Sequence, residues 1–171
     1  MASNDVLYET GTAITWKNAS GTYAISLASL AAAACRQGVK GNLGAKRAVR
    51  WVCRVQINMD VAPVNLAPVT IYWSSSSSAT AGTDNTGGAS GTDAAYTGPA
   101  GGLLNGLAQM QVIGTMPMTA DADAVVQIAE FVWYPTLQYG MPVVQNGTAQ
   151  AFEGDEDSHV ITIYPLNEEI A

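Results

Sequence analysis

Residues 49–59 read Val49-Arg-Trp-Val-Cys-Arg-Val-Gln-Ile-Asn-Met59, and this stretch decides the fold. Val49, Trp51, Cys53, Val55, Ile57 and Met59 alternate with Arg50, Arg54, Gln56 and Asn58. A period of two is a β-strand with one apolar and one wet face. Val69-Thr-Ile-Tyr-Trp73 repeats the alternation after Pro63 and Pro68, which cannot donate to a ladder and so punctuate the connection. The two runs are expected to pair as neighbours, with Trp51, Val55, Ile57, Ile71 and Trp73 in the core.

Outward from this pair, β-rich runs recur at Thr12–Trp16, Thr22–Leu27, Ala108–Gly114, Val125–Tyr134, Met141–Gln145 and Val160–Tyr164. Turn residues separate them, and Asn146-Gly147 is a strong hairpin dipeptide. About eight short strands of this spacing predict an all-β chain, a jelly-roll-like β-sandwich in preference to an immunoglobulin-like one. One short helix is expected over Ser26–Gln37, where Leu27, Leu30, Ala31 and Ala34 share a face and Gly38 supplies a stop. From Ser74 to Gly102 runs a 29-residue stretch with five consecutive serines, seven glycines and one aromatic, Tyr96. It cannot build a core, so it reads as a long loop projecting toward a partner.

The chain of 171 residues is 48% hydrophobic and only 12% charged, a composition that predicts a single folded domain over 1–171 with apolar surface left for partners. Charge is segregated. All seven basic residues precede residue 55, against only Asp5 and Glu9, whereas residues 60–171 carry twelve acids and no base. That distribution argues against nucleic acid as a partner and for complementary contacts with protein, through Lys46, Arg47, Arg50 and Arg54, with Tyr96 and Glu130 as further interface candidates. The longest apolar stretch, Ala28–Cys35, is too short to cross a bilayer, and the first residues lack a signal-peptide pattern. No membrane partner and synthesis in a host cytoplasm are therefore expected, with the sequons at Asn18 and Asn146 unused.

The residues carry little chemistry. Cys35 and Cys53 read as buried free thiols, with no disulfide framework and no zinc spacing. The glycine-rich segment Gly82–Gly91 lacks a Gly-Lys-Ser/Thr ending, so no phosphate site and no cofactor is predicted. His159 is the only histidine and reads as a surface residue at a strand edge. The acidic run Glu153-Gly-Asp-Glu-Asp157, with Asp121 and Asp123, lacks the spacing of a calcium loop and reads as solvated. No metal and no enzymatic activity are expected. Val125–Tyr134 is apolar on both faces, apart from Glu130. Such a strand is central, or lies in a subunit contact, or offers aromatics to a sugar.

Gly41-Asn-Leu-Gly-Ala45, Gln111-Val-Ile-Gly-Thr115 and Tyr139-Gly-Met-Pro-Val-Val-Gln-Asn-Gly-Thr148, leading to Ile161-Thr-Ile-Tyr-Pro-Leu166, resemble a recurrent pattern in small virion proteins of tailed bacteriophages. The resemblance implies a β-rich structural subunit of the virion, often a capsid decoration (cement) protein. Its implied partners are the phage major capsid protein and further copies of itself, a trimer being favoured. It carries over no site residues. The alternative is a carbohydrate- or receptor-binding β-sandwich of a phage tail or spike.

Overall fold

In a computed structural model, which describes residues 6–18, 20–45, 47–121 and 125–170, the alternation of residues 50–57 becomes a strand. Trp51, Cys53, Val55 and Ile57 are each at most 2% exposed, and Val52, Arg54 and Gln56 face the other way. In chain order the strands are β1 (Val6–Thr10), β2 (Ile14–Trp16), β3 (Cys35–Gln37), β4 (Gly41–Asn42), β5 (Arg50–Ile57), β6 (Pro68–Ser76), β7 (Ala94–Ala95), β8 (Gln111–Pro117), β9 (Gln127–Trp133), β10 (Tyr139–Asn146) and β11 (Val160–Ile170). One short helix, α1 (Leu103–Leu107), interrupts them. They form an all-β sandwich of two antiparallel sheets. Sheet A runs β1-β11-β5-β9 with β2 also on β11, and sheet B runs β7-β3-β10-β6-β8 with β4 also on β10.

The core lies between the sheets. Indole rings cross it: Trp16 of sheet A meets Trp73 of sheet B edge-on at 5.6 Å, and Trp73 meets Trp133 at 4.7 Å. Trp51, Val55, Ile57, Ile71 and Trp73 all belong to this core, as their parity in sequence predicts. The strands β5 and β6 are not a pair, however, for they lie in opposite sheets and face each other across the interior. Alternation fixes which face of a strand is buried and says nothing about its lateral neighbour.

Residues 26–37 are not helical. They form two turns, Leu27–Leu30 and Ala31–Ala34, with Ser29 and Ala33 at φ 55° and 59°, and end in β3. Tertiary donors take the carbonyls that a helix would use. The Asn146 side chain donates to Leu30 O and Ala31 O, Phe152 N donates to Leu30 O, and Asn146 N donates to Ala34 O. Four alanines offer too little apolar area to outcompete those bonds. Asn146-Gly147 likewise makes no hairpin, because β10 and β11 lie in different sheets; Asn146 Oδ1 instead accepts from Thr148 N and Oγ1 and turns the chain out of sheet B. The run Thr22–Leu27 contributes a single bridge, Trp16 to Tyr23.

The segment 74–102 does not project. Ser74–Ser76 continue β6 and are buried. The remainder folds back over the outer face of sheet B, where Ala89 and Tyr96, with Leu107 and Met110 beyond, cover Cys35, Met141 and Val143. A lysine anchors it. Lys40 Nζ, 8% exposed as a residue, donates to Ser76 Oγ (2.9 Å) and to the carbonyls of Ser78 (3.0 Å), Thr80 (2.6 Å) and Thr83 (2.9 Å). At the far end Asp93 accepts from Arg36 Nε at 2.7 Å and from Ser26 N at 3.1 Å. Replacing Lys40 by Met keeps the stem and removes every donor, so Lys40→Met should cost about 1–3 kcal/mol. Faster amide exchange confined to residues 77–84 is the expected signature.

The indoles also dictate glycines. A Cβ at Gly140 would lie 2.5 Å from the Trp73 ring and 2.7 Å from Ser74 O, and one at Gly41 would lie 2.6 Å from Trp16 Cζ2. Gly140→Ala should therefore destabilise by about 1–3 kcal/mol through overpacking. Gly82→Ala meets only Ser90 O at 3.8 Å and should be neutral or stabilising by up to about 1 kcal/mol. Equal denaturation midpoints for the two variants would refute the packing argument.

Candidate functional site

The titratable side chains that could act as catalysts lie apart from one another. Among the described residues no three His, Cys, Asp or Glu side chains converge on a point. Cys35 and Cys53 are buried and free, and burial pushes their thiols up to about 11 and about 12, so neither is a thiolate nucleophile near neutral pH. Asp121 and the Glu153–Asp157 loop belong to no such group, and Asp123 lies outside the described residues. Tyr96 is buried and donates its hydroxyl to Gly87 O, so it supports the loop over sheet B and is not an interface residue.

His159 is not on the surface. It is 1% exposed, stacks on Phe152 at 5.6 Å, takes Asn58 N–H on Nδ1 at 3.4 Å and sets Nε2 2.9 Å from Glu153 O. Those partners require the neutral ring with its proton on Nε2. Burial lowers its pKa, against the opposing pull of Glu153 and Asp155. The folded protein therefore binds this proton less readily than the unfolded chain does. Stability is full above the unfolded value of about 6.5 and declines as pH falls below it, toward the folded pKa. Asp93 acts lower: although burial alone would raise its pKa, hydrogen bonds from Arg36 and Ser26 hold it below 3.8, so its contribution is lost only under more acid conditions. Chemical denaturation at pH 7 and pH 5 should show a loss for the parent that His159→Gln lacks; identical losses would exclude His159 as the source.

The segregated charges of the sequence meet within the fold. Lys17 pairs with Asp157 at 2.8 Å, Arg36 with Asp93 at 2.7 Å and Arg54 with Glu130 at 3.5 Å. Lys40 is held in its carbonyl cage, where burial lowers its pKa against the charge of Asp84. Arg47 donates to Thr136 O at 2.6 Å, and with Arg50 it lines shallow depressions at the end of the sandwich where β5 begins. Lys46 lies outside the described residues.

The fold also leaves large apolar side chains in the open. Among the described residues strand β9 is an edge, paired with β5 alone, and it alternates: Gln127, Ala129, Phe131 and Trp133 turn inward, whereas Ile128, Val132 and, just beyond, Tyr134 are 49, 57 and 51% exposed. It is thus not the central strand that its two apolar faces allow. Register sets the outer face of sheet A in rows. Val132, Val52 and Tyr164 form one, Glu130, Arg54 and Thr162 the next, and Ile128, Gln56 and Val160 the third. Arg54 and Glu130, both candidates from sequence, are brought together at its centre. Val52, Arg54, Glu130 and Tyr164 border a depression of about 330 Å³.

A second apolar surface was missed in sequence. The connection from β5 to β6 presents Val61, Val64 and Leu66 at 52, 72 and 68% exposure. Its backbone is clamped: Leu66 N donates to Met118 O, Met118 N donates to Ala67 O, and Ala67 N closes a turn on Val64 O. Leu66 is held at φ 67°, a region that costs a leucine about 1 kcal/mol or more. Exposed aliphatic side chains on a fixed, strained turn stabilise nothing in one isolated copy. Pro63 and Pro68 were the available signal, read only as punctuation.

No protein-family model matches this chain, and no curated protein matches it. No helix among the described residues is long and apolar enough to cross a membrane.

Proposed function

We propose that this protein is a virion structural subunit of a tailed bacteriophage, a capsid decoration (cement) protein that binds the major capsid protein and catalyses nothing. The clamped turn with Val61, Val64 and Leu66 carries the reading: preorganised apolar side chains held in water are what a docking surface requires, because ordering costs are met before binding. Carboxylates surround that end of the sandwich. Asp60, Asp121, Asp155 and Glu156 lie in the loops there, and Lys17 is already paired with Asp157. A complementary shell site is therefore apolar with a basic rim.

The winding supports a jelly roll. The pairs β2 with β11, β3 with β10, β5 with β9 and β6 with β8 nest as one antiparallel ribbon rolled into two sheets, ordered β2-β11-β5-β9 and β3-β10-β6-β8. Segments that resemble virion proteins fall on β4, β8, β10 and β11. Three of their glycines answer to packing: Gly41 lies against Trp16, Gly114 against Phe131 and Gly140 against Trp73.

Co-sedimentation with capsid shells of the encoding phage tests the reading. Val64→Asp/Leu66→Asp should fall at least about tenfold in shell occupancy, as loss of a central apolar contact predicts. Its melting temperature should stay within about 2 °C of the parent's, since exposed substitutions scarcely alter stability. Absence of the protein from shells, or undiminished binding by the variant, would overturn the proposal.

A further inference from the structure

An apolar sheet face needs a cover, and the two sheets differ in having one. The loop after β6 covers sheet B. Over the outer face of sheet A, Ile128, Val132 and Tyr134 remain about half exposed. We propose that a second copy of this chain covers that face, forming a two-fold pair. The proposal goes beyond the decoration reading and does not rest on it.

The charges select the occupant. Arg54 and Glu130 are register partners on adjacent strands, with Nε to Oε1 at 3.5 Å and side chains 38 and 63% exposed. Val52 and Val132 form the register pair on one side of them, and Gln56 and Ile128 the pair on the other. Such a face is complementary to itself. An axis running along the strands between β5 and β9 sets each Glu130 against the other copy's Arg54 and each Val132 against the other's Val52. That is the isologous contact a two-fold axis demands. A uniformly basic or uniformly acidic partner would meet one of the two charges with repulsion, so the alternation disfavours it. The symmetry is two-fold, in place of the threefold assembly favoured from the sequence.

The test uses charge reversal. Arg54→Glu makes the face doubly acidic and Glu130→Arg makes it doubly basic, while the fold of one copy depends little on an exposed pair. In analytical ultracentrifugation the parent should be dimeric, and each single variant should dimerise at least about tenfold more weakly, since like charges at the contact repel. An equimolar mixture of the two singles should recover the dimer, as should the double variant Arg54→Glu/Glu130→Arg. Thermal melts confirm that each variant is folded. A parent that stays monomeric at roughly 100 µM, well above the micromolar range of an ordinary specific contact, overturns the pair. So do singles that dimerise like the parent, or a mixture that fails to recover the dimer. Shell binding is read separately: a monomer that still decorates shells removes this pair and leaves the decoration reading intact.

Discussion

The contact of Trp16, Trp73 and Trp133 across the interior holds the two sheets at their separation, and much of the local sequence answers to it. Large planar side chains fill the gap only where the opposing backbone carries nothing, which is why Gly38, Gly41 and Gly140 sit against indole rings. The arrangement has a polar cost. Among the described residues the Trp73 and Trp133 ring N–H groups find no acceptor, a penalty of about 1–3 kcal/mol each. Near-complete burial of both rings offsets it, since a fully buried large apolar side chain contributes about as much.

With the interior fixed, the two outer faces take different fates. On sheet B the alternating side chains of β10, Met141 and Val143, are covered by a loop with little apolar content of its own, and that loop stays because Lys40 and Asp93 hold it at two points. On sheet A no described segment takes that role. Three ion pairs join early bases to late acids within the fold, while Ile128, Val132 and Tyr134 stay about half exposed on and beside the outer face of sheet A. Such surface binds other surfaces.

Parity was the legible part of the fold. In β5 and β6 the period of two is set by local stereochemistry, so Trp51, Val55, Ile71 and Trp73 could be placed in the core from their spacing alone. Lateral order was not legible, because β5 pairs with residues 70 or more positions away in β9 and more than 100 away in β11. The helix expected at residues 26–37 failed for the same reason, its carbonyls being claimed by Asn146 and Phe152. The candidate surface was half legible. Arg54 and Glu130 stood out as charges among apolar neighbours, yet their meeting depends on register; Tyr96 was conspicuous as the lone aromatic of a polar stretch, which is why it is buried as the anchor of that stretch. Segregation of charge along the chain suggested contacts between molecules, but a fold that pairs early strands with late ones brings the two halves together within one.

Glu130 has a further consequence for how β9 meets a partner. An edge strand with Ile128 and Val132 exposed invites unselective pairing through its free backbone edge. A carboxylate in the middle of that strand opposes in-register stacking of identical strands, because each copy would bring Glu130 against Glu130. Face-to-face approach lacks that penalty, since Arg54 lies beside Glu130 on the same face and can meet the acid of the other copy. The same residue thus disfavours open-ended edge association and favours the closed two-fold contact, which lets a chain with this much apolar surface associate through one face and stop.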